Sequence, residues 1–382
     1  MRNFTFKNPT KIIFGKGTIA QLTNELPLDK KIMLTFGGGS VKKNGVYNQV
    51  VEALKNHNCI EFWGIEPNPK VGTLRKAIEL GKKENVDFIL AVGGGSVLDG
   101  TKLIASAILY DGDAWDLVLN GSFIKDIVPF GDVITLPATG SEMNAGAVIS
   151  NDDTNEKYAF YSTHPCFSIL DPETTFSLPP YQVACGIADT FIHVMEQYLV
   201  DKNGSPLMDR WAEGILQTMI EVAPKIRQNQ QDYEQMSNFM LSATMALNGF
   251  ISMGANSADW ATHMIGHEIT ALTGLTHGET LAIVEPALMQ VMKAEKRKKL
   301  LQYAERVWNI QENDEDKKIT LSIEKTEDFY RSLSLKTRLS EHNIGSDVRD
   351  AIVTRFRERG TRLGEKGSIT ADTVKAILEF CK

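Results

Sequence analysis

The sequence has only four cysteines, Cys59, Cys166, Cys185 and Cys381, and their positions follow no metal-ligand spacing. In a chain of 382 residues this usage excludes a disulfide scaffold and reads as reduced thiols in a reducing compartment. Long apolar runs are also absent: none approaches the roughly 20 residues that span a bilayer. The opening Met1-Arg2-Asn3-Phe4-Thr5-Phe6 has neither the apolar core nor the small-residue cleavage site of a signal peptide. The expectation is a cytoplasmic protein with no membrane partner. Basic residues are not in excess, with 41 Lys and Arg against 48 Asp and Glu and a formal charge of −7. The one basic run, Lys296-Arg297-Lys298-Lys299, reads as a solvated helix face, so no nucleic-acid partner is expected. No HExxH zinc-hydrolase pattern and no GxGxxG dinucleotide fingerprint occurs.

What is present is an ordinary globular composition, 42% hydrophobic and 23% charged, in a chain long enough for two domains. Up to about residue 176, strand-like runs alternate with amphipathic stretches. Lys31–Phe36, Val86–Val92, Asp132–Leu136 and Phe167–Leu170 are the candidate strands, and this alternation predicts a parallel sheet with helices on its faces. Leu178-Pro179-Pro180 is a strong break. Beyond it the chain reads as helix over Gln182–Tyr198, Asp209–Ala223, Asp232–Ser252 and Glu285–Trp308, with Pro286 tolerated in the first turn of the last. The boundary falls near 176–180. It gives an α/β domain over residues 1–178 and an all-α domain over residues 179–382.

Two of the strand-like runs end in the same pentapeptide, GGGSV, at 37–41 and at 93–97. A chain leaving a strand and opening a helix presents free backbone N–H groups to an anion, and glycines let a phosphate approach closely. Gly93, Gly94, Gly95 and Ser96 are therefore candidates for a dinucleotide pyrophosphate. Enzymes that select NAD often carry an acidic residue where the second strand ends. Here Gly37, Gly38, Gly39 and Ser40 stand there, followed by Lys42 and Lys43, which leaves room and charge for a 2′-phosphate and favours NADP over NAD. Thr139-Gly140-Ser141-Glu142 follows a third strand and adds hydroxyls and backbone donors.

The helical half holds His193, His263, His267 and His277. Asp189 and His193 are four apart, as are His263 and His267, so each pair shares one helix face. His277 follows Gly274, where a turn can bring it back. A carboxylate with several imidazoles suits a divalent ion such as iron or zinc, but spacing leaves open which three or four groups bind. Glu196 and Glu268 are alternates on the same helices, read as supporting or surface groups. His57, His164 and His342 lie outside the constellation and read as structural or exposed.

Together, Pro9–Gly17, Phe36–Lys43, Ala91–Lys102, Leu136–Ala147, Leu178–Gln197 and Asp259–Thr280 resemble the iron-containing, or group III, alcohol dehydrogenases over almost the whole chain. The likeness is strongest to their NADP-dependent aldehyde reductase and butanol dehydrogenase branch. The resemblance implies a Rossmann-like, parallel-sheet N-terminal domain and an all-helical C-terminal domain, the fold shared with dehydroquinate synthase. It implies one divalent metal, Fe2+ or Zn2+, in the cleft between them, held by Asp189, His193, His263 and His277. His267 then matches a non-ligating position beside nicotinamide and substrate, where it could relay a proton. Gly94, Gly95, Ser96, Asp99, Thr139 and Lys157 match cofactor-contacting positions. The implied reaction interconverts short-chain primary alcohols and aldehydes with NADP, or NAD, in a homodimer. Three rivals remain at this level. One is a dehydroquinate-synthase-type lyase, disfavoured by the neutral, apolar Met143, Ala145, Met253 and Trp260. The second is a metal hydrolase, which would leave the glycine runs unexplained. The third is a non-catalytic nucleotide-binding or regulatory protein, which would leave the metal constellation idle.

Overall fold

The computed structural model describes residues 1–200, 205–255 and 258–382. Among these, the strands are β1 (Lys11–Phe14), β2 (Lys31–Phe36), β3 (Asn58–Phe62), β4 (Phe88–Gly94), β5 (Phe130–Leu136), β6 (Gly146–Asn151), β7 (Glu156–Tyr161) and β8 (Phe167–Leu170). The helices interleaved with them are α1 (Leu22–Glu25), α2 (Ser40–Lys43), α3 (Val46–Ala53), α4 (Val71–Glu84), α5 (Gly95–Ala107) and α6 (Ala114–Leu119). After them come α7 (Pro180–Tyr198), α8 (Pro206–Gln228), α9 (Tyr233–Ala246), α10 (Ala261–Thr273), α11 (His277–Val291), α12 (Arg297–Arg306), α13 (Glu315–Ser332), α14 (Ser346–Glu358) and α15 (Ala371–Phe380). The described chain divides into two compact units. One comprises residues 7–178 and 231–244, the other residues 1–6, 179–230 and 245–382.

The first unit is built on a six-stranded sheet of order β1-β8-β5-β4-β2-β3, parallel throughout. Its central strands read as continuous apolar runs because both faces are covered. Met33, Ile89 and Ala91 point to one core layer, and Leu34, Leu90 and Val92 to the other. Parallel strands end on the same edge. The register sets Phe36 beside Val92 and Gly94 beside Leu136, so the segments leaving β2, β4 and β5 are neighbours there. An antiparallel hairpin, β6–β7, adds a feature that the strand–helix alternation did not predict. The returning segment 231–244 joins this unit through Thr244, whose hydroxyl bonds buried Glu142, and Tyr233, whose hydroxyl accepts the Lys16 N–H.

The second unit is helical. Two expectations are corrected in it. The stretch Glu285–Trp308 is not one helix: Pro286 lies inside α11, which begins at His277, and the chain turns at residues 292–296 before α12. The basic run is not a uniformly solvated face either. Lys296 is buried on Asp259 and Glu365, and Lys299 is buried on Asp209 with its ammonium over the Tyr198 ring. No helix among the described residues is long and apolar enough to cross a membrane.

Candidate functional site

In the first unit, β4 passes directly into α5, with Gly94 closing the strand and Gly95 opening the helix. Close packing explains two of these glycines before any ligand is considered. A Cβ on Gly93 would meet Val97 Cγ2 at 2.5 Å, and one on Gly95 would meet Thr139 Oγ1 at 2.5 Å. Gly39 has φ +97, a backbone state side chains avoid. Gly38 differs. Nothing lies within 4 Å of its missing Cβ and its φ is not in the left-handed region, so the fold does not require glycine there. Ser40 and Lys43 bound the single turn α2. Lys42 is drawn off toward the aromatic faces of Trp63 and Tyr47, its ammonium 4.0 and 5.1 Å from their centroids.

The Thr139–Ser141 segment is fastened from beneath. Asp99 accepts the Ser141 Oγ–H at 2.7 Å and the Val148 N–H at 3.0 Å, so both carboxylate oxygens serve the loop and the hairpin. Buried Lys102, one turn further along α5, donates to the Ser141 carbonyl and hydroxyl, to Asn144 Oδ1 and to the Gly146 carbonyl. Burial outweighs the nearby Asp99, Asp132 and Glu142 charges and lowers its pKa to about 8. Lys157, on β7, donates to Asn68 Oδ1 at 2.9 Å, and the Asn68 N–H reaches Ser96 Oγ at 3.3 Å. Lys157 and Ser96, 61 positions apart in the chain, are thus bridged by a residue that sequence reasoning missed.

In the second unit, Asp189 and His193 project from one face of α7, and His263 and His267 from α10. The α10 helix ends at Gly274, whose φ of +75 reverses the chain so that α11 starts at His277. Donor atoms of Asp189, His263 and His277 lie within 4.8 Å of one another. Asp189 Oδ1 is 3.5 Å from His193 Nδ1 and 3.5 Å from His263 Nε2. The His193 ring stacks on His263 at 4.5 Å between centroids. His267 lies against His277 at 4.9 Å and edge-on to His263 at 6.3 Å. Asp189, His193, His263 and His267 are buried and His277 is half-buried.

Behind this cluster, Glu196 receives the His263 Nδ1. Burial opposes a charge on the His263 ring, yet Glu196 and Asp189 outweigh it and raise its pKa to about 9. His263 Nε2 is buried and makes no hydrogen bond among the described residues. One carboxylate and three imidazoles around a buried, unbonded ring nitrogen fit a tetrahedrally inclined divalent ion of the iron or zinc kind. Glu268 is no alternate ligand: Arg355 and Arg359 claim both its oxygens.

The family model for iron-containing alcohol dehydrogenase matches residues 9–172, and the model for the C-terminal region of the Fe-containing alcohol dehydrogenase family matches residues 183–381. The chain belongs to the iron-containing alcohol dehydrogenase family. It is 49% identical to the NADPH-dependent aldehyde reductase YqhD of Escherichia coli K12, covering 100% of both chains. It is 43% identical to the probable NADH-dependent butanol dehydrogenase 1 of Bacillus subtilis, covering 99% of each. Among solved structures, that of E. coli YqhD superimposes with a TM-score of 0.96 over 100% of this chain and 99% of that one, at 49% identity. The structure of NADH-dependent butanol dehydrogenase A from Thermotoga maritima gives a TM-score of 0.95 at 36% identity, covering 100% and 99%. Membership brings the reaction class with it, an NAD(P)-dependent alcohol/aldehyde oxidoreductase, and sets aside the lyase and hydrolase readings.

Within this iron-containing alcohol dehydrogenase scaffold, His57 and His342 are structural. His57 Nε2 bonds the Leu26 carbonyl, and His342 lies 3.5 Å from Glu279. Glu279 also receives the Tyr181 hydroxyl and the Lys336 N–H, which ties the first turn of α11 to α7. Gly278 brings the same two helices into backbone contact, since a Cβ there would lie 2.8 Å from the Cys185 carbonyl carbon.

Proposed function

We propose that this chain is a metal-dependent, NADP-preferring reductase of short-chain aldehydes, able to run in the alcohol-oxidising direction. The observation that carries the reading is the meeting of Asp189, His263 and His277, from three helices, with donor atoms within 4.8 Å of one another, and with His193 Nδ1 3.5 Å from Asp189 Oδ1. In this reading those four side chains hold one divalent ion, Fe2+ or Zn2+, and His267 stands beside them without ligating. Residues 1–178 form the dinucleotide-binding domain and residues 179–382 the metal-binding domain, so each carries one half of the chemistry. When bound, the metal polarises a carbonyl oxygen and NADPH supplies the hydride.

The chain's own residues do the positioning. The backbone N–H groups of Gly94, Gly95 and Ser96 at the start of α5 receive the pyrophosphate, supported by Thr139, Asp99 and Lys157. Gly37, Gly38, Gly39, Ser40 and Lys43 leave space and positive charge for the 2′-phosphate, and Gly38 supports this best because nothing in the fold demands a glycine there. His267 holds the proton exchanged with the substrate oxygen. By family likeness we read the protein as a cytoplasmic homodimer, to be checked by light scattering against twice 42.4 kDa.

The test is NADPH oxidation with butyraldehyde, followed at the reduced-nicotinamide band, before and after chelation. Turnover should vanish on chelation and return with zinc or iron, and elemental analysis of the purified protein identifies the resident ion. Undiminished turnover in protein stripped of metal would overturn the reading.

A further inference from the structure

Glu196 lies seven residues after Asp189 and three after His193, on the same face of α7, and its carboxylate is buried. It serves a different helix. The α10 helix starts at Ala261, and Trp260 before it has φ +58 and offers no side-chain cap. The first N–H groups of a helix have no partner within it. Glu196 Oε1 accepts two of them, from Thr262 at 2.6 Å and His263 at 3.3 Å, while Oε2 meets His263 Nδ1. The Glu196 carbonyl also accepts the Asp259 N–H at 2.9 Å. One residue therefore joins the helix carrying Asp189 and His193 to the helix carrying His263.

The chemistry of that contact fixes a tautomer. An ionised carboxylate only accepts hydrogen bonds, so the ring nitrogen facing it must carry the proton. When the ring gives up its Nε2 proton to bind an ion, the proton that remains is on Nδ1 and the lone pair is on Nε2, the atom 3.5 Å from Asp189 Oδ1. We propose that Glu196 is a positioning residue for the metal centre: it holds His263 in the Nδ1–H form and aims Nε2 at the ion. The inference rests on the metal reading above and adds to it which nitrogen binds and what enforces it.

Three N–H groups converge on two carboxylate oxygens, and an amide has only one oxygen to offer them. Glu196→Gln keeps the cap through Oε1 but turns an N–H donor toward Nδ1, which drives the proton onto Nε2 and blocks ligation. Glu196→Ala loses the cap and leaves the ring free to take either tautomer. The two variants should therefore rank oppositely in two measurements. Zinc affinity, from chelator competition with the full-length apoprotein, should fall 10- to 100-fold in Glu196→Gln, and less in Glu196→Ala. Stability of the apoprotein to urea should fall more in Glu196→Ala, by loss of the cap. NADPH binding should stay within about twofold of wild type in both, by the location of the dinucleotide residues on the other unit. Wild-type zinc affinity in Glu196→Gln, or affinities that simply follow stability, would overturn the proposal. Failure of the wild-type protein itself to bind zinc or iron would overturn the metal reading instead.

Discussion

Gly278→Ala is the sharpest perturbation available at the metal centre. A Cβ at position 278 would lie 2.8 Å from the Cys185 carbonyl carbon and 2.9 Å from its Cα, and closer still to its oxygen. The obstacle is the backbone of a buried helix, so no side-chain rotation relieves it. Restoring ordinary van der Waals separation of about 3.5 Å moves the start of α11 away from α7 by on the order of 1 Å. His277 is the neighbouring residue, and Asp189 lies one turn beyond Cys185, so this displacement separates two of the four proposed donors. Metal–ligand distances tolerate only about 0.2 Å. Zinc affinity should therefore fall at least tenfold. Overpacking costs about 1–3 kcal/mol, partly offset by the better helix propensity of alanine, about 1 kcal/mol. A net loss of up to about 2 kcal/mol is expected from urea unfolding of the chelator-treated protein. Gly214→Ala is the control. Gly214 is exposed within α8 with nothing within 4 Å of its missing Cβ, so the same substitution there should stabilise by about 0.5–1 kcal/mol and leave zinc binding untouched. Wild-type zinc affinity in Gly278→Ala would refute the reasoning, because it would mean that the α7–α11 contact can relax without moving His277.

Three further outcomes follow from the same geometry. His263→Ala should abolish metal-dependent turnover while NADPH binding persists, and wild-type turnover in the metal-free variant would remove the mechanism. Gly38→Asp meets no steric obstacle and should lower the NADPH-to-NADH ratio of kcat/KM about tenfold or more through repulsion of the 2′-phosphate; an unchanged ratio would show that this turn does not read the phosphate. Glu285 is buried, which raises its pKa to about 8 despite the Tyr330 hydroxyl that bonds it, with Glu196 of α7 raising it and His263 of α10 lowering it, and with Tyr303 of α12 and Lys296 nearby. With the folded-state pKa above the ordinary 4.5, the group costs nothing below pH 4.5, destabilises progressively as pH climbs from 4.5 to about 8, and adds no further cost above that. Glu285→Gln should therefore gain on the wild-type apoprotein by on the order of 3 kcal/mol between pH 5 and pH 8 in urea unfolding, and a pH-independent difference would contradict this.

The central strands were legible because burial on both faces leaves a predominantly apolar signature, as in Lys31–Phe36 and Phe167–Leu170, broken only by Lys31, Thr35 and Ser168. The edge strands β1 and β3 lack it: Asn58–Phe62 is exposed or half-buried along its length, so neither run length nor alternation marks it. In the hairpin, β6 does alternate while β7 does not, and the pair interrupts a strand–helix rhythm that gave no reason to expect an antiparallel partner. Pro286 misled for a physical reason. A proline is cheapest in a first turn, so a helix start was placed beside it, whereas α11 had begun at His277 and carries the proline inside. That segment 231–244 returns to the sheet-bearing unit is a property of tertiary contact, which periodicity does not encode.

For the site, helical spacing gave the pairs Asp189/His193 and His263/His267 but not their meeting, since a spacing fixes which side chains share a face and not which faces converge. Glu196 falls on the Asp189 face by the same arithmetic, and Glu268, five residues after His263, falls off the His263 face toward Arg355 and Arg359. The rule that admitted the first pair could have separated these two. The glycine runs show the converse limit. GGGSV occurs twice, yet Gly93 and Gly95 are demanded by Val97 and Thr139 whatever the protein binds, and Gly39 by its backbone angle. A glycine argues for a ligand only after neighbours and φ have been removed as causes. Gly37 and Gly94 are tightly packed as well, with Ile65 O and Leu136 Cβ at 3.3 and 3.2 Å from their missing Cβ atoms, so Gly38 alone survives that subtraction and the cofactor-specificity argument narrows to a position that looked no different in the sequence from the glycines on either side.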